Sequence, residues 1–239
     1  MLNNLITAKI LKILLILLLF VPSLLAQEYK VLNIKGDVKF RSNTSETWTE
    51  LKVGQVLNSD EFISTGVKAS VQVESSGEIV NIGELSAVSI SSIKKMSTDE
   101  LLLALAMEDM INVPRSDGKG KGNSGSTAVY GEKEGIEINT ELNSDDFGVK
   151  RLNGAIQLAK NDLMGSSVIF AKETYRKYPD TKQIASYRIF FADVLYDKGL
   201  YEEALGEYLE IQKLELNKEQ TAEVEKQINS INKKLLNDR

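Results

Sequence analysis

The chain has 239 residues, a formal net charge of −5 and 26% charged residues, enough for one or two domains with their own cores. It contains no cysteine and no histidine. That excludes disulfides, thiolate nucleophiles, Ser-His-Asp and Cys-His catalysis, and Cys- or His-based metal sites. No Lys/Arg cluster is interleaved with aromatics, which speaks against nucleic acid as a partner.

The N-terminus carries Lys9 and Lys12, an apolar run from Ile13 to Val21, then Pro22, Ser23, Leu24, Leu25 and Ala26 before Gln27. A basic start, a short apolar stretch and a small residue before a polar one is the signal-peptide pattern. Residues 1–26 are therefore expected to be removed on export, after Ala26 or, alternatively, after Ser23. Retention as a membrane anchor is the other reading, against which stand the short run and its Pro22.

Residues 27–141 read as a β domain. Tyr29 to Gly36 and Asp37 to Arg41 alternate, with Leu32, Ile34, Val38 and Phe40 expected on one face and Lys35, Asp37, Lys39 and Arg41 on the other. Thr47 to Leu51 is a short strand. Gly54 and Asn58-Ser59 mark turns, and Gly66 is expected at positive φ. Lys68 to Glu74 has the period of a half-buried strand, and Ser75-Ser76-Gly77-Glu78 can close a hairpin to Ile79–Ile82. A last strand runs from Ala87 to Ile93, with Val88 and Ile90 inward.

Within this stretch Gly36, Val38, Trp48, Leu51, Gly54, Leu57, Asp60, Ile63, Thr65, Gly66, Ala69 and Val71 follow one another in an ordered alternation of turn and apolar residues. This spacing resembles the FecR domain family over residues 29–93. The resemblance implies a small all-β barrel or sandwich in which Gly36, Trp48, Gly54, Asp60, Thr65 and Gly66 are structural. It names no ligand. Trp48 reads as a core aromatic, with a sugar-stacking platform as the alternative. Asp60 reads as a turn cap rather than a catalytic acid.

Ser97-Thr98-Asp99-Glu100 is a capping box. It predicts a helical insertion over 97–111 whose Leu101, Leu102, Leu105 and Met110 pack on the β part or dock a partner. Residues 115–127, RSDGKGKGNSGST, are a Gly/Ser-rich loop. It imitates a phosphate loop, but Ser126 stands where the lysine must be. Thr127–Tyr130 and Ile136–Ile138 read as one further strand pair.

From residue 144 to 236 the period becomes helical, with five helices expected at 145–161, 163–177, 181–198, 201–214 and 217–236. Ala192, Gly199, Tyr201, Ala204 and Tyr208 fall on the small, glycine and aromatic positions of one tetratricopeptide repeat, which this segment resembles. Arg188 and Leu216 depart from that pattern. The alternative is a plain helical bundle. The resemblance implies a hairpin stack whose lining face, Ser186, Ile189, Asp193, Tyr196 and Asp197, receives a protein partner. That face could instead be solvated, or covered by the 145–161 helix.

The fold class expected is thus multidomain β plus α, a FecR-like barrel or sandwich followed by a tetratricopeptide-like stack. The function expected is that of an exported, non-enzymatic interaction or scaffold module of a bacterial cell envelope or periplasm, without cofactor or metal. A protein would bind through the helices, and an envelope glycan or protein through the β domain. Membrane contact is expected only if the signal segment is uncleaved. A FecR-type signal-transducing regulator is the alternative, weakened because only about a dozen residues precede the apolar run. A glycan-active enzyme is the third reading, for which no carboxylate pair is singled out by spacing.

Overall fold

The computed structural model describes residues 28–42, 44–112 and 146–237. The signal segment, the glycine-rich loop and the strand pair expected at 127–138 lie outside them. Eight strands come first: β1 (Tyr29–Lys35), β2 (Val38–Ser42), β3 (Thr49–Glu50), β4 (Val56–Leu57), β5 (Glu61–Thr65), β6 (Ser70–Ser75), β7 (Glu78–Ile82) and β8 (Ala87–Ser89). They form two antiparallel four-stranded sheets, ordered β4-β1-β6-β7 and β3-β2-β5-β8. Six helices follow: α1 (Thr98–Asn112), α2 (Phe147–Lys160), α3 (Met164–Lys177), α4 (Ala185–Asp197), α5 (Tyr201–Ile211) and α6 (Lys218–Asn237). Among the described residues no helix is long and apolar enough to cross a membrane.

The chain switches from one sheet to the other between β1 and β2. Gly36 makes this possible: its φ is +73°, and an added Cβ would lie 3.0 Å from both the Cα and the Cβ of Ala69. The β6–β7 hairpin closes through Ser76 and Gly77, both at positive φ (54° and 82°), the pairing that suits the strands' right-handed twist. Gly66 is not in that conformation; the left-handed residue nearby is Lys68, at φ 55°. Gly66 serves through its backbone instead. Its amide donates to the Asp37 carbonyl at 2.9 Å, and its carbonyl accepts from the Leu85 amide at 3.1 Å. Asp60 is no turn cap either. It accepts from the Ser42 hydroxyl at 3.2 Å, while Glu61 accepts from the Asn58 amide at 2.7 Å and holds the turn.

Along β1 the expected faces are exchanged before the bulge and hold after it, where Ile34 packs against the core. Tyr29 and Val31 are buried and Leu32 is 36% exposed. The pairing with β6 is irregular between Val31 and Asn33, and such a bulge shifts the alternation by one residue. On β6 the expected alternation holds, with Val71, Val73 and Ser75 inward.

The capping box forms as expected: the Glu100 amide donates to the Ser97 hydroxyl at 3.2 Å, and the Ser97 amide donates to the Glu100 carboxylate at 2.7 Å. The helix it starts packs on α3 rather than on the sheets, through Leu101 and Leu105 beside Val168. Met110, expected inward, is 76% exposed, in line with Leu103, Met107 and Ile111 on the open side.

The helices and the sheets share a core. Leu152, Ala155 and Leu158 of α2 and Phe170 and Ala171 of α3 lie in one apolar cluster with Val31, Val38, Ile63, Val73 and Val88. Gly154 lets α2 touch β8, since a Cβ there would overlap the Ala87 carbonyl. Side chains tie the seam: the Asn153 amide donates to the Leu85 carbonyl at 2.8 Å, and Asn161 pairs with both backbone groups of Asn81 at 2.8 and 2.9 Å.

Candidate functional site

The strand β2 sends Lys39 and Arg41 to one face, with Asp37 just before it, by the two-residue period of the extended chain. Lys39 lies opposite Ser64 of β5 and Arg41 opposite Phe62. Over the Phe62 end of this face sits the first turn of α2, whose N-cap Asp146 accepts from the Gly148 amide at 2.7 Å. Phe147 is thereby placed among Trp48, Phe62 and Tyr178, with ring centroids at 5.8, 6.4 and 6.0 Å. The result is an open groove of about 480 Å³ lined by Asp37, Lys39, Arg41, Trp48, Ser64, Thr65, Gly66, Phe147 and Lys150.

Arg41 is the distinctive group in it. Its guanidinium lies 4.7 Å from the Trp48 ring centroid and 5.0 Å from that of Phe147, both within cation–π range. Its Nη1 makes one long bond, 3.4 Å, to the Ser45 carbonyl, and its buried Nε has no partner. No carboxylate among the described residues forms an ion pair with it. Behind it lies Arg151, 1% exposed, against the Phe62 and Phe170 rings and 3.3 Å from the Glu173 carboxylate. Burial lowers the proton affinity of Arg151, and the nearby Arg41 charge lowers it a little further. Lys39 reaches Asp37 at 3.3 Å, a pair with both side chains exposed and therefore weak.

Trp48 is half-buried: it packs against the core cluster on one side and lines the groove on the other. Thr65 is committed to the fold: its hydroxyl donates to the Gly83 carbonyl at 2.6 Å and accepts from the Ser86 amide at 3.0 Å. Among the described residues no cluster of acidic side chains could hold a metal ion.

A second cleft, about 580 Å³, lies where α3, α4 and α5 meet. Most of its charges are spent on one another. Glu207 takes Lys172 and Arg188, and Arg176 holds Glu108 at 3.0 Å. In the groove beside Trp48 no described carboxylate pairs with the Arg41 guanidinium.

The lining face expected on α4 is covered by the chain itself, by α6 and not by α2. Ile189 is 5% exposed, in the helical core with Val224 and Ile231. Asp193 accepts from the hydroxyl of Tyr208 and, at 3.1 Å, from Gln227. Tyr196 meets Ser230 at 3.1 Å and stacks edge-on against Tyr201. Ser186 and Asp197 alone remain exposed. Burial raises the Asp193 carboxyl above its ordinary value, against the two hydrogen bonds that lower it.

No family model matches the chain, and no similar curated protein or solved structure was found. The likenesses to FecR domains and tetratricopeptide repeats rest on the residues quoted for them.

Proposed function

We propose that this chain is an exported, non-enzymatic binding module of a bacterial cell envelope, and that the groove beside Trp48 is its ligand site. The observation that carries this reading is Arg41, packed against two aromatic rings and without a carboxylate partner among the described residues. A buried or half-buried charge is normally paired; one that meets no described carboxylate at a groove wall is poised for an external ligand. The FecR-like pattern supports the reading, because its Trp48, Thr65 and Gly66 all line the groove. In this reading the two sheets form the small FecR-type β unit, and α4 and α5 form the tetratricopeptide-like hairpin that α6 caps. The cap moves the protein-partner role from the α4 face to other surfaces of the helices.

Co-sedimentation of the full chain with insoluble cell-wall material tests the reading. The wild type is expected to pellet, and the double variant Arg41→Gln with Trp48→Ala to stay in the supernatant at unchanged circular dichroism. Equal pelleting of the two would remove the groove from the function. Mass spectrometry of the N-terminus from an expressing cell tests export, for which Gln27 or Leu24 is the expected first residue.

A further inference from the structure

We propose that the groove recognises its ligand through an oxyanion gripped by Arg41, and that this oxyanion is the carboxylate of a sugar acid. The proposal rests on the groove being the ligand site and adds what that ligand must carry.

Three observations converge on it. The first is donor geometry. A guanidinium offers five N–H donors in a planar fork that matches a carboxylate two bonds at a time. Arg41 spends one of them on a long bond to Ser45, while the Trp48 and Phe147 rings pack against it. These contacts restrict the side chain before a ligand arrives, which reduces the entropy lost on binding.

The second is the local field. The chain as a whole is acidic, yet among the described residues lining the groove Lys39 balances Asp37 and Arg41 adds a positive charge that no described carboxylate meets. An anion is drawn to this face against the sign of the net charge, and the concave wall concentrates the effect.

The third is the wall. Trp48 and Phe147 give flat apolar surface beside the cation, and the Ser64 hydroxyl lies on the opposite strand without a hydrogen-bond partner among the described residues. A ligand suited to it combines an apolar ring face, an oxyanion at its edge and hydroxyls around it. A sugar acid has all three. A free phosphate shares only the oxyanion. About 480 Å³ is ample for one or two rings, within the ordinary range of small-ligand sites.

The experiment uses the one tryptophan of the chain, Trp48, whose emission reports on the groove directly. The full chain is titrated with trigalacturonic acid, with the neutral galactose trimer of the same length, and with inorganic phosphate. The acidic trimer is expected to shift the emission and bind at least tenfold more tightly than either other probe. Salt should weaken it. Arg41→Gln should lose at least tenfold, Arg41→Lys should fall between because it keeps the charge without the fork, and Asp37→Asn should tighten binding by removing a competing carboxylate. Thermal unfolding checks that each variant folds; Asp37 is exposed, so its variant gives a result even if the Arg41 changes disturb packing. Equal binding of the neutral trimer, or no effect of Arg41→Gln in a folded protein, overturns the oxyanion. Phosphate binding as tightly as the acidic trimer overturns the sugar acid while leaving the oxyanion. No response to any probe, by emission and by calorimetry, overturns the whole proposal. Cell-wall sedimentation then judges the groove separately.

Discussion

Gly154 shows how much of this architecture rests on single residues. It stands mid-helix, where glycine costs about 1 kcal/mol relative to alanine, yet here the larger residue is the unfavourable one. A Cβ would overlap the Ala87 carbonyl and press on Val88, so α2 would have to lift from β8. Gly154→Ala is expected to destabilise by about 2–3 kcal/mol, the cost of overpacking in a tight contact, against the usual gain for this change in a helix. Urea unfolding measures it, and a stabilised variant would show that α2 does not lie this close. Neither this glycine nor Phe147 was legible from sequence. Each is defined by a neighbour far away in the chain, and local periodicity carries no trace of that neighbour. The β2 face is the opposite case: Asp37, Lys39 and Arg41 alternate so plainly that their common face follows from the two-residue period, and only their opposite wall needed the structure.

Among the elements, the strands and helices were legible wherever the hydrophobic period runs unbroken, as in β6, in the β6–β7 hairpin and from α2 to α6. The first half of β1 was not, because a bulge leaves no signature in residue types that are apolar on both sides of it; Ile34, beyond the bulge, faces the core as expected. The α4 face failed for another reason. Ser186, Ile189, Asp193, Tyr196 and Asp197 do share a helical stripe, but amphipathic spacing cannot say whether its partner comes from outside or from the same chain. Here α6 supplies Val224 and Ile231, and Gln227 and Ser230 satisfy the polar members. Ile189→Ala is accordingly expected to cost about 2–5 kcal/mol, as for an aliphatic side chain deleted from a core, and to lower the melting temperature of the full chain. An unchanged melting temperature would mean that α6 leaves this face open in solution. Leu103, Met107, Met110 and Ile111 of α1 are exposed.

At the scale of the whole molecule the sheets and helices behave as one body, because α2 and α3 complete the core that the strands begin. The capping box, the turn chemistry and the periods predict the two kinds of secondary structure, but not this shared core, which arises from packing between distant segments. The helical end has its own pH signature. Burial alone would raise the Glu207 carboxyl; Lys172 and Arg188 outweigh it and hold it below the ordinary value of 4.5. A carboxyl whose folded pKa is depressed stabilises the fold above its unfolded pKa, and that stability is lost as pH falls through the folded value. Stability is therefore expected to drop below about pH 4.5. Glu207→Gln should flatten that acid limb and cost about 3 kcal/mol at pH 7, since it strands Arg188, whose side chain is 10% exposed. Asp193 runs the other way, its raised carboxyl favouring the fold at low pH, so the Gln variant isolates the Glu207 share. Denaturant melts of wild type and variant across pH 3–7 decide it; parallel curves would contradict the assignment.

On the proposed function, the groove between the β2 face and the first turn of α2 holds the ligand. Hydrogen exchange of the full chain with and without solubilised cell-wall fragments tests it most directly. New protection is expected to be confined to residues 37–50, 62–66 and the start of α2, and to be absent in Arg41→Gln. Protection confined to α4–α6, or the same protection in that variant, would contradict it.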